Sequence, residues 1–149
     1  MKKAIALLLA LVMVFALCAC GGGDKGTADN GEKVVKIGVF EPASGDSGAG
    51  GKKEMLGMQY ANQETPTVEI GGETYKVELV YSDNGSDSAK AVSAASKLVN
   101  EKVSLVLGSY GSGVSIAASD TFKQAGIPAI GVTCTNPNVT AGNSHYFRI

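Results

Sequence analysis

From Val34 onward the chain alternates between short apolar runs and longer stretches whose apolar side chains recur every three or four positions. The run from Val34 to Phe40 is β-branched and apolar, the composition of a buried strand. A helix is predicted from Lys52 to about Gln63, with Met55, Leu56, Met58 and Tyr60 as its apolar face. Two alternating runs flank Gly71-Gly72 and predict a hairpin over 67–83, whose second arm sets Val77, Leu79 and Tyr81 on one face. Residues 87–102 predict an amphipathic helix with Ala91, Val92, Ala95, Leu98 and Val99 inward and Asp87 or Ser88 as N-cap. A short strand over 103–108 follows. The next helix carries Val114, Ala117, Ala118, Thr121, Phe122 and Ala125 on one side and ends at Gly126. A strand over 127–132 comes next, and residues 145–149 begin one more.

Strands alternating with helices predict an α/β fold: a mainly parallel sheet with flanking helices and right-handed crossovers. In such a sheet the loops that follow the strands emerge along one rim, where ligands bind. Three loops rich in glycine and hydroxyls are therefore expected to meet there, over 41–51, 108–113 and 133–138.

The first 33 residues have a different pattern. Lys2 and Lys3 precede an unbroken apolar stretch, Ala4 to Leu17, which is shorter than the ~20 residues that span a bilayer. It reads as a signal peptide over 1–19. Its end, Leu17-Cys18-Ala19-Cys20, resembles a bacterial lipobox, in which Cys20 is lipidated and becomes the new N-terminus. Residues 20–33 lack large apolar side chains and read as a flexible tether. This combination predicts an extracytoplasmic domain held to a membrane face by lipid.

Processing changes the charge and the thiol count. Removing the first 19 of 149 residues leaves 130, with 11 basic against 14 acidic side chains. The net charge near −3 and the lack of a basic stripe argue against nucleic acid. Cys134 is then the one free thiol, so no intramolecular disulfide forms. One cysteine and His145 supply too few soft ligands for a structural zinc site, and no metal or cofactor is expected.

The glycine-rich stretch 43–54 invites comparison with phosphate loops. A P-loop ending at Gly51-Lys52 would place Asp46 at its first glycine and Lys53 at its hydroxyl position. Gly48-Ala49-Gly50 opens a dinucleotide fingerprint, but Lys53 occupies the final position. Neither motif is present. The stretch 108–113 also fails the nucleophile elbow, since Tyr110 stands where a glycine is required. A hydrolase using Ser112 would need a general base, and His145 lies outside the three loops.

A smaller anion fits better. Hydroxyls and backbone amides at a helix start can hold a carboxylate without a cationic side chain. Ser112 and the amides around Gly113 have that composition, and Thr133 and Thr135 add hydroxyls, amides and carbonyls beside them. Carbonyls accept the protons of an ammonium group, so the set suits a zwitterion such as an amino acid. From composition alone, such loops equally serve to turn the chain and cap helices.

At these residues a resemblance emerges. The ordered segments 34–45, 81–87, 89–108, 109–120, 126–137 and 146–149 are similar to the leucine/isoleucine/valine-binding proteins, type I solute-binding proteins of ABC transporters for branched-chain amino acids. The resemblance implies two α/β lobes that close on ligand, with no catalysis, and a permease and ATPase complex as docking partner. It implies that Ser112 meets the ligand carboxylate, that the Thr133 carbonyl receives its ammonium group, and that the Thr135 hydroxyl and amide bind it as well. Family members often carry an aromatic residue where Gly50 stands, so the wall for the ligand side chain is open here. They also run to more than twice this length, so residues 34–149 are expected to be an incomplete first lobe. A sensor domain of the same fold is the alternative, against which the lipobox counts.

Overall fold

A computed structural model describes residues 32–149. The expected signal peptide, Cys20 and most of the tether lie outside the described residues. The folded unit begins at Lys33. The Lys33 carbonyl accepts the Lys76 amide at 2.7 Å, and its ammonium group pairs with Glu73 and sits 5.8 Å over the Tyr75 ring.

The described residues form β1 (Val34–Val39), α1 (Gly48–Glu64), β2 (Thr67–Ile70), β3 (Glu73–Tyr81), α2 (Ser88–Asn100), β4 (Leu105–Leu107), α3 (Ser112–Gln124), β5 (Ala129–Gly131) and β6 (Tyr146–Arg148), with a 3-10 turn at Pro137–Val139. They build a six-stranded sheet in the order β2-β3-β1-β4-β5-β6. Every pairing is parallel except the β2–β3 hairpin. The predicted architecture is therefore the observed one.

The two faces of this sheet differ. Helices α2 and α3 cover one of them, and their small side chains allow a close approach. Ala91, Ala94, Ala95, Leu98, Ala118 and Phe122 pack with Phe40, Val106 and Ala129 into a single core. The Phe40 and Phe122 rings meet edge to face at 5.5 Å. Gly38 on β1 makes room for this layer, since a Cβ there would lie 3.1 Å from Leu98 and Val106. Val92, expected inward, is 50% exposed, and Ala94 takes its place in the core.

The other face meets α1 alone among the described residues. Leu56 and Tyr60, expected on the apolar side of α1, are 63% and 65% exposed. Between α1 and the sheet runs an apolar groove of about 730 Å³, walled by Val35, Ile37, Met58, Val77, Leu79 and Leu107. Helix α1 also starts at Gly48, four residues before the sequence expectation of Lys52. Glycine is a poor helix former, so Gly48, Gly50 and Gly51 mask the start in the sequence. Gly51 serves close packing instead: a Cβ there would lie 2.3 Å from the Pro42 carbonyl oxygen.

Helices α2 and α3 end alike. Ile127 N–H donates to the Phe122 carbonyl and Gly126 N–H to that of Lys123, with Gly126 at φ +68. Val103 N–H donates to Leu98 and Lys102 N–H to Val99 in the same pattern, but Lys102 holds the left-handed position at φ +58. A Cβ in that conformation is strained. Lys102→Gly is therefore expected to stabilise the fold by about 0.5–1 kcal/mol, after allowing for the greater chain entropy of glycine. Urea unfolding of the two forms measures it, and a lower midpoint for the variant would count against this helix end as a strained one.

Candidate functional site

The rim at the carboxyl ends of β1, β4 and β5 gathers the three loops, and hydrogen bonds tie them together. Ser44 and Asp83 link the first loop to the one after β3. The Asp83 carboxylate accepts the Ala43 and Gly85 amides at 2.8 Å, the Ser44 amide at 3.3 Å and the Ser44 hydroxyl at 2.7 Å. Partial desolvation acts to raise its pKa, but the Ser44 hydroxyl and the three amides outweigh it and hold the carboxyl below its ordinary value. Asn84, fully buried, donates to the Phe40 carbonyl and to the Ser109 hydroxyl, and so joins the first loop to the second.

The second loop rests on buried hydroxyls. Ser115 accepts the Ser109 amide at 3.2 Å, Ser109 accepts the Gly111 amide at 3.3 Å, and Tyr146 donates to the Gly108 carbonyl at 2.9 Å. Cys134 lies beneath the third loop with its sulfur 3.1 Å from the Ser109 carbonyl and from the Ser115 hydroxyl. Burial is the main cause that raises its thiol pKa, which leaves it a neutral packing group.

This scaffold presents the start of α3 to the rim. Asp87 caps α2 by accepting the Ala89 amide, whereas the N-cap of α3 is Gly111 and offers no side chain. The first amides of α3, including those of Ser112 and Gly113, thus meet no capping side chain. Ser112 Oγ accepts the Asn136 amide at 3.3 Å, which sets it against the third loop beside Thr135. The Ser112 hydroxyl also lies within hydrogen-bonding reach of the Cys134 thiol beneath it. The Thr135 carbonyl accepts from Arg148 at 3.4 Å, and Thr133 donates its hydroxyl to Glu54 at 2.5 Å. Ser112, Gly113, Thr133 and Thr135 are therefore brought to one rim, as the parallel sheet requires.

Gly50 lies in the first turn of α1, where a Cβ would be 2.6 Å from two carbons of the Tyr110 ring. The space that lacks a side chain from α1 is occupied by a tyrosine from the second loop, and that ring is 44% exposed. Sequence reasoning passed over Tyr110, since only the packing of α1 on the second loop reveals the pairing. It passed over Glu41 and Glu54 as well. Glu41 is 1% exposed, yet one of its oxygens accepts the Tyr110 amide at 2.8 Å. Desolvation, and after it the neighbouring Glu54 carboxyl, push the Glu41 pKa up to about 9, so the group is protonated at neutral pH. His145 has its ring beside the Ser144 hydroxyl, while Ser112 meets the Asn136 amide and the Cys134 thiol.

The model of the family described as periplasmic binding protein matches residues 34–148. The chain belongs to that family. It is 34% identical over 129 residues to the Leu/Ile/Val-binding protein homolog 2 of Brucella abortus, covering 87% of this chain and 33% of that relative. In structure it is similar to the leucine binding protein LivK of Thermotoga maritima, with a TM-score of 0.72 and 35% identity over 78% of this chain and 32% of that one. It is also similar to the branched-chain amino acid transporter substrate binding protein LivJ of Streptococcus pneumoniae, solved in complex with isoleucine, with a TM-score of 0.69, 33% identity and coverage of 78% and 33%. The chain spans about a third of the length of the curated relatives it matches. The resemblance read from the sequence and the expected fold both hold. The matched proteins are binding proteins, in agreement with a reading that involves no catalysis.

The loop clamp at Asp83 is testable. Asp83→Ala is expected to cost about 1–2 kcal/mol, because the amides it frees regain water only in part. The clamp is fully present above the ordinary aspartate value near 4 and is lost as pH falls through the lowered one. Unfolding by urea between pH 7 and pH 2 should show the parent losing more stability than the variant on acidification. Equal losses would show that the carboxylate does not hold the loops.

Proposed function

We propose that the chain forms the ligand-binding first lobe of a lipid-anchored, extracytoplasmic solute-binding protein of an ABC importer, and that its ligand is a branched-chain or related amino acid. The observation that carries this reading is the start of α3: a glycine N-cap leaves helix amides uncapped at the rim, beside the Ser112 hydroxyl and the Thr135 segment. Such amides attract a carboxylate by hydrogen bonding and by the helix dipole. In this reading Ser112, Gly113 and Thr135 hold the carboxylate, and the Thr133 carbonyl receives the ammonium group. Tyr110, lying across Gly50, supplies the apolar wall that Gly50 lacks. The relatives named for leucine, isoleucine and valine, and the isoleucine-bound LivJ, support this ligand class. Binding is completed by a second lobe, and the closed protein docks on a permease with its ATPase. Cys20 carries the lipid that keeps the protein at the membrane.

Losing one charge-assisted hydrogen bond to a carboxylate in a closed cleft costs about 1.5–3 kcal/mol, roughly tenfold to hundredfold in affinity. Calorimetry with leucine, isoleucine and valine on the two-lobe protein should show that loss for Ser112→Ala and for Thr135→Ala. Unchanged affinity in both variants would refute the carboxylate assignment. The lipid anchor has its own test. A fatty-acid probe fed to cells should label the protein, and Cys20→Ala should abolish the label; a variant that stays labelled would exclude Cys20 as the attachment site.

A further inference from the structure

The polar groups beneath the rim include two carboxyls that the proposed binding chemistry does not use. Glu41 follows β1 and is buried; Glu54 lies on α1. Each has one oxygen with a hydrogen-bond donor in place: Glu41 Oε2 takes the Tyr110 amide at 2.8 Å, and Glu54 Oε1 takes the Thr133 hydroxyl at 2.5 Å. The remaining oxygens, Glu41 Oε1 and Glu54 Oε2, are both buried without a partner. A buried carboxylate oxygen with no donor is costly, and two of them side by side are costlier. One proton placed between the two carboxyls satisfies both at once, as a short O–H···O bond.

We propose that Glu41 and Glu54 share a single proton, and that the pair is a positioning device that holds Tyr110 and Thr133 in register across the rim. The chain of contacts is continuous: Tyr110 amide, Glu41, shared proton, Glu54, Thr133 hydroxyl. It joins the second loop to the third through α1, with no cation in it. The other titratable groups that face the pair are Cys134, after β5, and Tyr146, on β6; burial raises both, so both are neutral. Among the described residues no basic side chain figures in the environment that sets Glu41. Desolvation and the second carboxyl keep the proton on the pair to about pH 9. The space is closely fitted, since a Cβ at Gly108 would run into Glu41 Oε1. That Tyr110 and Thr133 contact a ligand rests on the function proposed above; that the pair positions them does not.

The experiment uses the full 149-residue chain without ligand, so its outcome is independent of what the protein binds. Side-chain carboxyl carbons are followed by NMR from pH 4 to pH 9.5, together with the Tyr110 amide and the Thr133 methyl group. The expected result is a titration step of the pair in the alkaline range, far above the other glutamates, with the Tyr110 and Thr133 signals moving in the same step. Glu41→Gln keeps a donor toward Glu54, so it should hold those two signals near their neutral-pH positions and abolish the alkaline step. Glu54→Gln should lower the titration of Glu41 by at least one pH unit and uncouple Thr133 from it. Two carboxyls that titrate with the surface glutamates would overturn the shared proton. An alkaline step that leaves Tyr110 and Thr133 unmoved would overturn the positioning role, and the parent titration alone decides both points if a variant does not fold.

Discussion

Everything at the rim depends on the parallel pairing of β1 with β3 on one side and β4 on the other. Parallel strands all point their carboxyl ends the same way, so the loops after β1, β3, β4 and β5 are delivered to a single edge. The pairing also needs a helical layer packed close, because crossovers must return over the sheet. Gly38 in the middle of β1 and the alanines of α2 and α3 supply that closeness on one face. Burial of this face, centred on Phe40, Leu98, Val106 and Phe122, is where the apolar driving force is concentrated.

At the rim the polar groups are arranged in two tiers. The lower tier is buried and carries hydroxyls, an amide side chain, a thiol and the Glu41 carboxyl. These groups satisfy the backbone of loops that leave the sheet, which is the main reason buried polar side chains are tolerated there. The upper tier consists of Ser112, Gly113, Thr133 and Thr135, whose chemistry is directed outward. Ser112 is tied to the third loop by the Asn136 amide, Thr133 to α1 by Glu54 and Thr135 to β6 by Arg148. Asp83, on the solvent side, does for the first loop what Asn84 does from inside.

The absence of a capping side chain at α3 gives this arrangement its direction. Asp87 closes the amides of α2, and Gly111 leaves those of α3 open. Two helices enter the same core with the same kind of ending and differ at their beginnings. A serine or aspartate at that N-cap would add only about a few tenths of a kcal/mol to the helix. Leaving it open keeps a partial positive charge at the rim.

The α/β class, the hairpin, the N-cap of α2, the end of α3 and the family resemblance were all legible in the sequence, because each is written in local periodicity and turn chemistry. Ser112, Gly113, Thr133 and Thr135 were legible as candidates, since hydroxyls and glycines after strands are a local signal as well. The beginning of α1 was not, because Gly48, Gly50 and Gly51 are poor helix formers, and Gly50 and Gly51 serve close contact with Tyr110 and Pro42, which are distant in sequence or read as loop. Nor were Tyr110 over Gly50 and Glu41 beside Glu54: an aromatic in a loop and a glutamate after a strand look like surface residues until the third dimension buries them. What the sequence by itself determined is the order of elements and the chemistry of each loop. Which side chains meet across loops, and which carboxyl keeps its proton, only the tertiary structure decided, since burial and contact between residues 50 and 110, 41 and 54, or 54 and 133 arise only when the sheet and its helices close together.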